Sequence, residues 1–401
     1  MTPRPHRRQA HASIVLAVAL VCLGPVTGRA AAAAGPGGFR DVPSGYWAGQ
    51  AIRVVAADHT WMRDYGTTTF RPNTFETRRR FARALVRAFA PHVAPDPKIT
   101  FGDMSSSDPF YPYANVAVKQ GWMQRTGPKH LFRPTTPVST LAVHRALVLA
   151  LGLRAVVRGI NAIHTSDGYR FAHPSGLGAL LTGMLLEFRY NHSVVSLDVG
   201  PHSHLRRSEV AWSLYHAYLA NTSESWRKTS LASYQTIQLG PVSPAMRKVV
   251  EFGLKYVAFP YIYAGEWNTQ SPAGYCCGYQ ARGGFDCSGL TWWVMKAPQN
   301  GYDNTGVRGY HGWSLPQRSS EDMSAAMTKR QRVPYDRLRA GDLMLYDPAG
   351  NGLIDHVDLY LGRGWALDSS SGAGGVIIVP VKSGWYRDHF KWGRDIMRTS
   401  A

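Results

Sequence analysis

Acidic side chains are scarce in this chain. Asp and Glu total 26 against 45 Lys and Arg, giving a formal charge of +19 over 401 residues. An excess of that size favours an anionic partner through long-range attraction that salt weakens. The basic residues are scattered and form no single run. Together with an N-terminus that reads as an export signal, this excludes nucleic acid in favour of polyanions met outside the cell, such as wall polymers. Long apolar runs are equally rare. "SIVLAVALVCLG" follows the basic Arg4, Arg7 and Arg8 and precedes the small-residue stretch "GRAAAAAG", the pattern of a signal peptide over residues 1–34. It is short for a membrane span, and no later stretch is apolar enough for one. The mature chain is therefore expected to be exported, with no membrane contact.

Cysteine is scarcer still, with only Cys22, Cys276, Cys277 and Cys287. Cys22 follows Val21, which does not suit lipid attachment, and it leaves with the signal peptide. The three remaining are an odd number, which points to a free thiol or an intermolecular bridge. Cys276 and Cys277 read as loop thiols, which singles out Cys287. No His or Cys cluster has metal-ligand spacing and no Gly-rich phosphate loop follows a strand, so neither metal nor cofactor is expected. What the chain does have is apolar mass: 44% hydrophobic residues, enough to build two or three cores.

The front half repeats itself. "FRDVPSGYWAGQAI…FRPN…TRRRFARAL" from Phe39 returns as "FGDMSSSDPFYPYANVAV…FRPT…HRAL" from Phe101. The offset is 62 residues both for the phenylalanines and for the "FRP" arginines Arg71 and Arg133. A fixed period means one supersecondary unit used more than once. A third, divergent unit ends in "HLRRSEVAWSLYHAYLA", where Leu205, Val210, Leu214 and Ala217 or Tyr218 fall at helical spacing. These units resemble S-layer homology (SLH) repeats. The resemblance implies an all-α three-repeat bundle over 39–95, 99–155 and 156–220 that binds an anionic secondary cell-wall polysaccharide. Its Arg-x-Glu helix-start motif survives as Arg207-Ser208-Glu209, is altered at Arg78-Arg79-Arg80, and is lost at Thr140-Leu141-Ala142. Arg78 and Arg207, at loop-to-helix junctions, are the candidate sugar-binding residues. Arg79 and Arg80 read as solvated charges.

Residues 221–242 are polar with scattered apolar positions and read as a linker that partly packs. The Ser243-Pro244 pair opens a helix. Further on, "GGFDCSGLTWWV" places Asp286 as a helix cap and Cys287 in the first turn, where the helix dipole favours thiolate. Trp292 and Trp293 read as core. A nucleophilic thiol needs an imidazole. "GLIDHVDLYLGRGWALDSSSG" reads as two strands about a Gly-Arg-Gly turn, with His356, Asp358 and Tyr360 on one face. His356 and Asp368 lie six residues either side of Gly362, cross-strand neighbours if the turn centres there. Cys287, His356 and Asp368 are thus a candidate triad, with Asp355 and Asp358 read as structural or supporting groups.

This half, about residues 243–401, resembles the NlpC/P60 family of cysteine peptidases through "PYIYAG", "GGFDCSGL", "SLPQRSSEDM", "RAGDLMLYD" and "DHVDLYLG". The resemblance implies an α+β, papain-like domain, an antiparallel sheet with packed helices, acting on peptidoglycan. It also implies Cys287 as nucleophile, His356 as general base and acid, and Tyr261 as support for the oxyanion. Asp286 and Ser288 would bind the substrate's amine end. Asp368 stands where the family more often has His, Asn or Gln. Arg318 either shapes the cleft or serves in a cap or surface ion pair. The stretch 266–283 is longer than the family's usual connection and is expected over the cleft. The implied reaction is endopeptidase cleavage of a D-γ-glutamyl to diamino acid bond. A muramoyl-alanine amidase and a non-catalytic wall-binding or envelope protein are the alternatives.

Overall fold

Asp41 and Asp103, one sequence period apart, hold equivalent turns. Asp41 accepts hydrogen bonds from the N–H groups of Phe70 and Arg71 at 2.8 and 2.6 Å, and Asp103 from Phe132 and Arg133, both at 2.7 Å. Two charge-assisted bonds pin each "FRP" turn, where Arg71 and Arg133 take the same left-handed backbone, φ 61° and 57°. These contacts come from a computed structural model that describes residues 35–265, 283–295, 315, 317–326 and 328–396. The expected signal peptide with Cys22, the thiols Cys276 and Cys277, and nearly all of 266–283 lie outside the described residues.

The front half carries α1 (Gly49–Ile52), α2 (Arg78–Phe89), α3 (Tyr111–Lys119), α4 (Thr140–Ala150), α5 (Arg154–Asn161), α6 (Leu177–Leu185) and α7 (Arg207–Asn221). Three of the helix starts close a ring. The N–H of Arg78 bonds Thr136 O, that of Thr140 bonds Ser203 O, and that of Arg207 bonds Thr74 O, at 3.0, 3.0 and 2.9 Å. Each helix so begins on the loop before another.

The ring bears on the reading of two arginines. Arg207 is fully buried: its Nε donates to Phe70 O, its Nη2 to Met62 O, and its Nη1 to Asp64 at 2.8 Å and Glu76 at 2.5 Å. Arg78 does the same one period along, donating to Phe132 O and Gln124 O. Arg207 therefore offers no free fork to a sugar, while Arg78, half-buried, spends two of its donors on carbonyls. The sequence alone could not separate a buried arginine from a surface one, because both occupy the same loop-to-helix junction.

The expected linker is also folded. It forms α8 (Trp226–Thr229), a 3-10 turn (Ser230–Gln235) and β2 (Gln238–Leu239), which pairs in parallel with β1 (His164–Thr165), so the front half is not purely helical. Leu231, Tyr234, Ile237 and Leu239 are buried, and the Tyr234 hydroxyl donates to Ile378 O at 2.9 Å in the back half. Four buried apolar side chains outweigh the polar composition between them, at roughly 1.5–3 kcal/mol each. The described residues fall in one compact unit.

The back half opens with α9 (Pro244–Leu254), whose start is fixed by the Ser243 hydroxyl accepting from Met246 N–H. Then follow α10 (Cys287–Met295), α11 (Ser320–Ala325) and α12 (Trp385–Asp388) around a six-stranded antiparallel sheet. Its order is β3 (Arg332–Val333), β8 (Phe390–Arg394), β4 (Leu343–Tyr346), β5 (His356–Gly362), β6 (Trp365–Ser370), β7 (Gly375–Pro380). Helix α10 packs on β5 and β6, with Trp292 and Trp293 buried.

The β5–β6 turn spends three consecutive positive φ angles, 93°, 52° and 80° at Gly362, Arg363 and Gly364, which is why glycine brackets the arginine. Leu359 stands opposite Leu367, with a bulge where Gly362 meets Trp365. The turn therefore centres beyond Gly362. Asp368 comes opposite Asp358, and His356 lies one diagonal step away.

Candidate active site

Helix α10 starts where the sequence placed it because Asp286 caps it: its Oδ1 accepts from the N–H of Gly289. The glycine is required by a close approach, since a Cβ there would stand 1.9 Å from Gly265 O. Arg318, 5% exposed, donates to the Ser288 hydroxyl at 2.8 Å, to Asp286 Oδ1 at 3.2 Å and to Gly265 O at 3.1 Å. Asp286, Ser288 and Arg318 thus form a buried brace under the nucleophile helix. None of the three is among the residues lining the cleft. The brace holds the start of α10.

The cleft itself has a volume of about 500 Å³ and is lined by Tyr261, Cys287, His356, Asp368, Trp385 and Tyr386, among others. Cys287 is a free thiol, 9% exposed. The imidazole of His356 is 16% exposed, lies edge-on to the Trp385 ring at 5.6 Å, and turns Nε2 inward. Two acids meet that nitrogen: Asp358 Oδ1 at 3.0 Å and Asp368 Oδ1 at 3.1 Å. Each carboxylate spends its other oxygen on a tyrosine. The Tyr346 hydroxyl donates to Asp358 at 2.8 Å and the Tyr386 hydroxyl to Asp368 at 2.7 Å. With Nε2 facing the two acids, Nδ1 is the ring nitrogen left for the thiol.

Charge follows from this packing. Burial alone would strip the proton from His356, but the Asp368 carboxylate, the Cys287 thiolate and Asp358 together outweigh it and hold its pKa well above an ordinary imidazole's. Burial, reinforced by the Asp368 charge, pushes Asp358 up to about 7. Tyr261 is pushed up to about 12, by burial and then by the nearby Cys287 charge, so it keeps its O–H as a donor facing the cleft. The converging atoms of His356, Asp358 and Asp368 all lie within 4.8 Å of one another, a spacing a cation would accept. A cation on Nε2 would draw electrons from the ring and weaken Nδ1 as a base, so the cluster serves a thiol only without one.

Sequence reasoning brought Cys287, His356, Asp368 and Tyr261 forward, and the structure gathers all four at one cleft. It undervalued Asp358, which meets the imidazole as closely as Asp368 does. The signal was there: strand alternation sets Asp358 on the face of His356. Tyr346 ends "LMLY" opposite His356 in β4. Trp385 and Tyr386 arrive on α12, far along the chain, with no local pattern to mark them.

Residues 259–394 match the model of the NlpC/P60 family. A γ-D-glutamyl-L-lysine dipeptidyl-peptidase of Bacillus cereus is 24% identical over 181 residues, 45% of this chain and 45% of that protein. The peptidoglycan endopeptidase RipB of Mycobacterium tuberculosis is 31% identical over 140 residues, 34% of this chain and 49% of RipB. A solved structure of the M. tuberculosis peptidoglycan hydrolase RipB covers 44% of this chain and 85% of its own at 26% identity, with a TM-score of 0.26. The match spans less than half the length of these two curated relatives. The back half of this chain carries an NlpC/P60 family domain of the cysteine peptidase type, with peptidoglycan endopeptidases among its homologues.

Proposed function

We propose that this protein is an exported cell-wall hydrolase that cuts an amide bond in the peptide stems of peptidoglycan. The observation that carries the reading is the meeting of a free thiol at a helix start with an acid-backed imidazole in one cleft. The thiolate of Cys287 attacks the substrate carbonyl. The Tyr261 hydroxyl donates to the developing oxyanion, where a fixed donor is worth most. The imidazolium of His356 protonates the leaving amine, and the thioester that remains is opened by water that His356 deprotonates. Asp368 orients the ring. The name of the Bacillus cereus relative supports a D-γ-glutamyl to diamino acid bond as the target.

The front half, with its SLH-like repeats, is assigned to retention on an anionic secondary wall polysaccharide. The overall charge of +19 supports this, through side chains other than the buried Arg207. Pull-down of the full chain with walls, before and after removal of that polymer, tests it: retention unchanged by removal would sink the anchoring assignment.

The test of the main reading is mass spectrometry of peptidoglycan fragments incubated with the full chain and with Cys287→Ala. Products cut at the γ-glutamyl bond, absent with the variant, are expected. Products with a freed muramoyl group would make it an amidase. No products from a folded protein across several stem chemistries would leave only wall binding.

A further inference from the structure

Asp358 is a buried carboxylate that the reaction above does not use. Its side chain is 0% exposed and that of Asp368 is 1% exposed. The strand register sets them directly opposite each other, on the face that also carries His356. Like charges opposite one another across a sheet repel, and two bare carboxylates out of water cannot both stay ionised cheaply. Yet only one ring nitrogen, Nε2, stands against both. Neither facing oxygen makes a well-aligned hydrogen bond to the ring, although both stand within 3.1 Å of it. Each outward oxygen already receives a tyrosine O–H.

We infer that Asp358 stays protonated near neutral pH and is a second positioning residue for the catalytic imidazole, supplying extra negative charge as the solution becomes alkaline. The inference rests on the reading of Cys287 and His356 as the reacting pair. Around neutrality Asp358 holds a proton and adds no charge of its own beside the imidazolium. Above neutrality Asp358 ionises, in line with its raised pKa, and a second charge faces Nε2. The ring then keeps its proton further into the alkaline range than one acid would allow. Every titratable group around Asp358 fits this order. Tyr346 on β4 and Tyr386 on α12 are held well above ordinary tyrosines, by burial and then by these acids, and stay protonated donors. His356 lies beside Asp358 on β5, Asp368 faces it from β6, and Cys287 on α10 lines the same cleft as the imidazole. The carboxylates move no proton to substrate; they act through the ring alone.

Asp358→Asn is the direct test, since the amide copies the protonated acid in shape and cannot ionise. The full chain is alkylated with iodoacetamide from pH 5 to 10 and the rate at Cys287 is read by peptide mass mapping, which needs no substrate. In the native chain the rate rises at alkaline pH as the imidazolium loses its proton and frees the thiolate. In Asp358→Asn that rise is expected about one pH unit lower, with rates below pH 7 within about twofold of native. On stem peptides, the alkaline limb of kcat/KM moves down by the same amount. Tyr346→Phe, which removes a donor from Asp358, shifts both in the same direction by less and guards against a misfolded first variant. A native profile in Asp358→Asn, or an equal loss at every pH, would overturn the proposal. If the native chain alkylates as described but no stem peptide is cut, the failure lies with the substrate reading, not with Asp358.

Discussion

Two basic side chains in this molecule are each gripped by two acids, and they do opposite things. In the front half Arg207 lies fully buried between Asp64 and Glu76, its remaining donors taken by two carbonyls. In the back half His356 lies between Asp358 and Asp368 at almost the same distances, but its ring borders a cleft and its facing oxygens are badly aligned. The arginine is engaged by acids and carbonyls inside the fold and offers no fork to a ligand. The imidazole titrates, and its second nitrogen is unspent. A charge cluster that is saturated and dry is architecture. One that is unsaturated, titratable and at a cleft is chemistry.

That contrast can be broken from either side. The largest effect is expected at the thiol: Cys287→Ala should cut kcat/KM on stem peptides by about 10⁴-fold or more, with the unfolding midpoint little changed. His356→Ala should cost about 10³-fold by removing both the base and the acid, again with stability nearly intact. Arg207→Met inverts the pattern. It strands the buried Glu76, takes one of two arginine partners from Asp64, and should lower unfolding free energy by about 3–5 kcal/mol in a urea titration, while the activity of the folded fraction is unchanged. Asp368→Asn should lose about 10²-fold, less than His356→Ala, because Asp358 still faces the ring. The smallest change is Arg78→Ala, at about 1–3 kcal/mol of stability and no activity, since only two carbonyl bonds are lost. An activity loss in Arg207→Met without unfolding would erase the distinction.

The pH behaviour sharpens it. The raised pKa of His356 means its proton is retained through neutrality and lost only well above the ordinary imidazole range. The alkaline limb of kcat/KM should therefore lie above pH 7, and the stability that the ion pairs contribute should be full below the unfolded-state pKa of about 6.5 and fade as pH rises through the folded value. Near Arg207 the cation itself contributes no such step.

What the sequence made legible follows the reach of local pattern. The 62-residue period announced the equivalent "FRP" turns at Arg71 and Arg133, the cap at Asp286 announced Cys287 in the first turn of α10, and strand alternation put Asp358 on the face of His356. Tertiary packing stayed hidden. Nothing in Arg207-Ser208-Glu209 says that the guanidinium is buried in another repeat. The position of the β5–β6 turn depended on a bulge at Gly362, so Asp368 was placed near His356 by a register that proved shifted. Trp385 and Tyr386 reach the cleft from α12, and Tyr234 ties the supposed linker to β7, contacts that no stretch of chain records.

The most direct test of the central claim, that the His356 cluster is reactive and the Arg207 cluster is not, is the alkylation rate of Cys287 at pH 7. It would be read by mass mapping in the native chain, His356→Ala and Arg207→Met. The account predicts fast reaction in the native chain, at least a tenfold slowing in His356→Ala, and native reactivity in whatever fraction of Arg207→Met remains folded. Equal rates in the native chain and His356→Ala would contradict it.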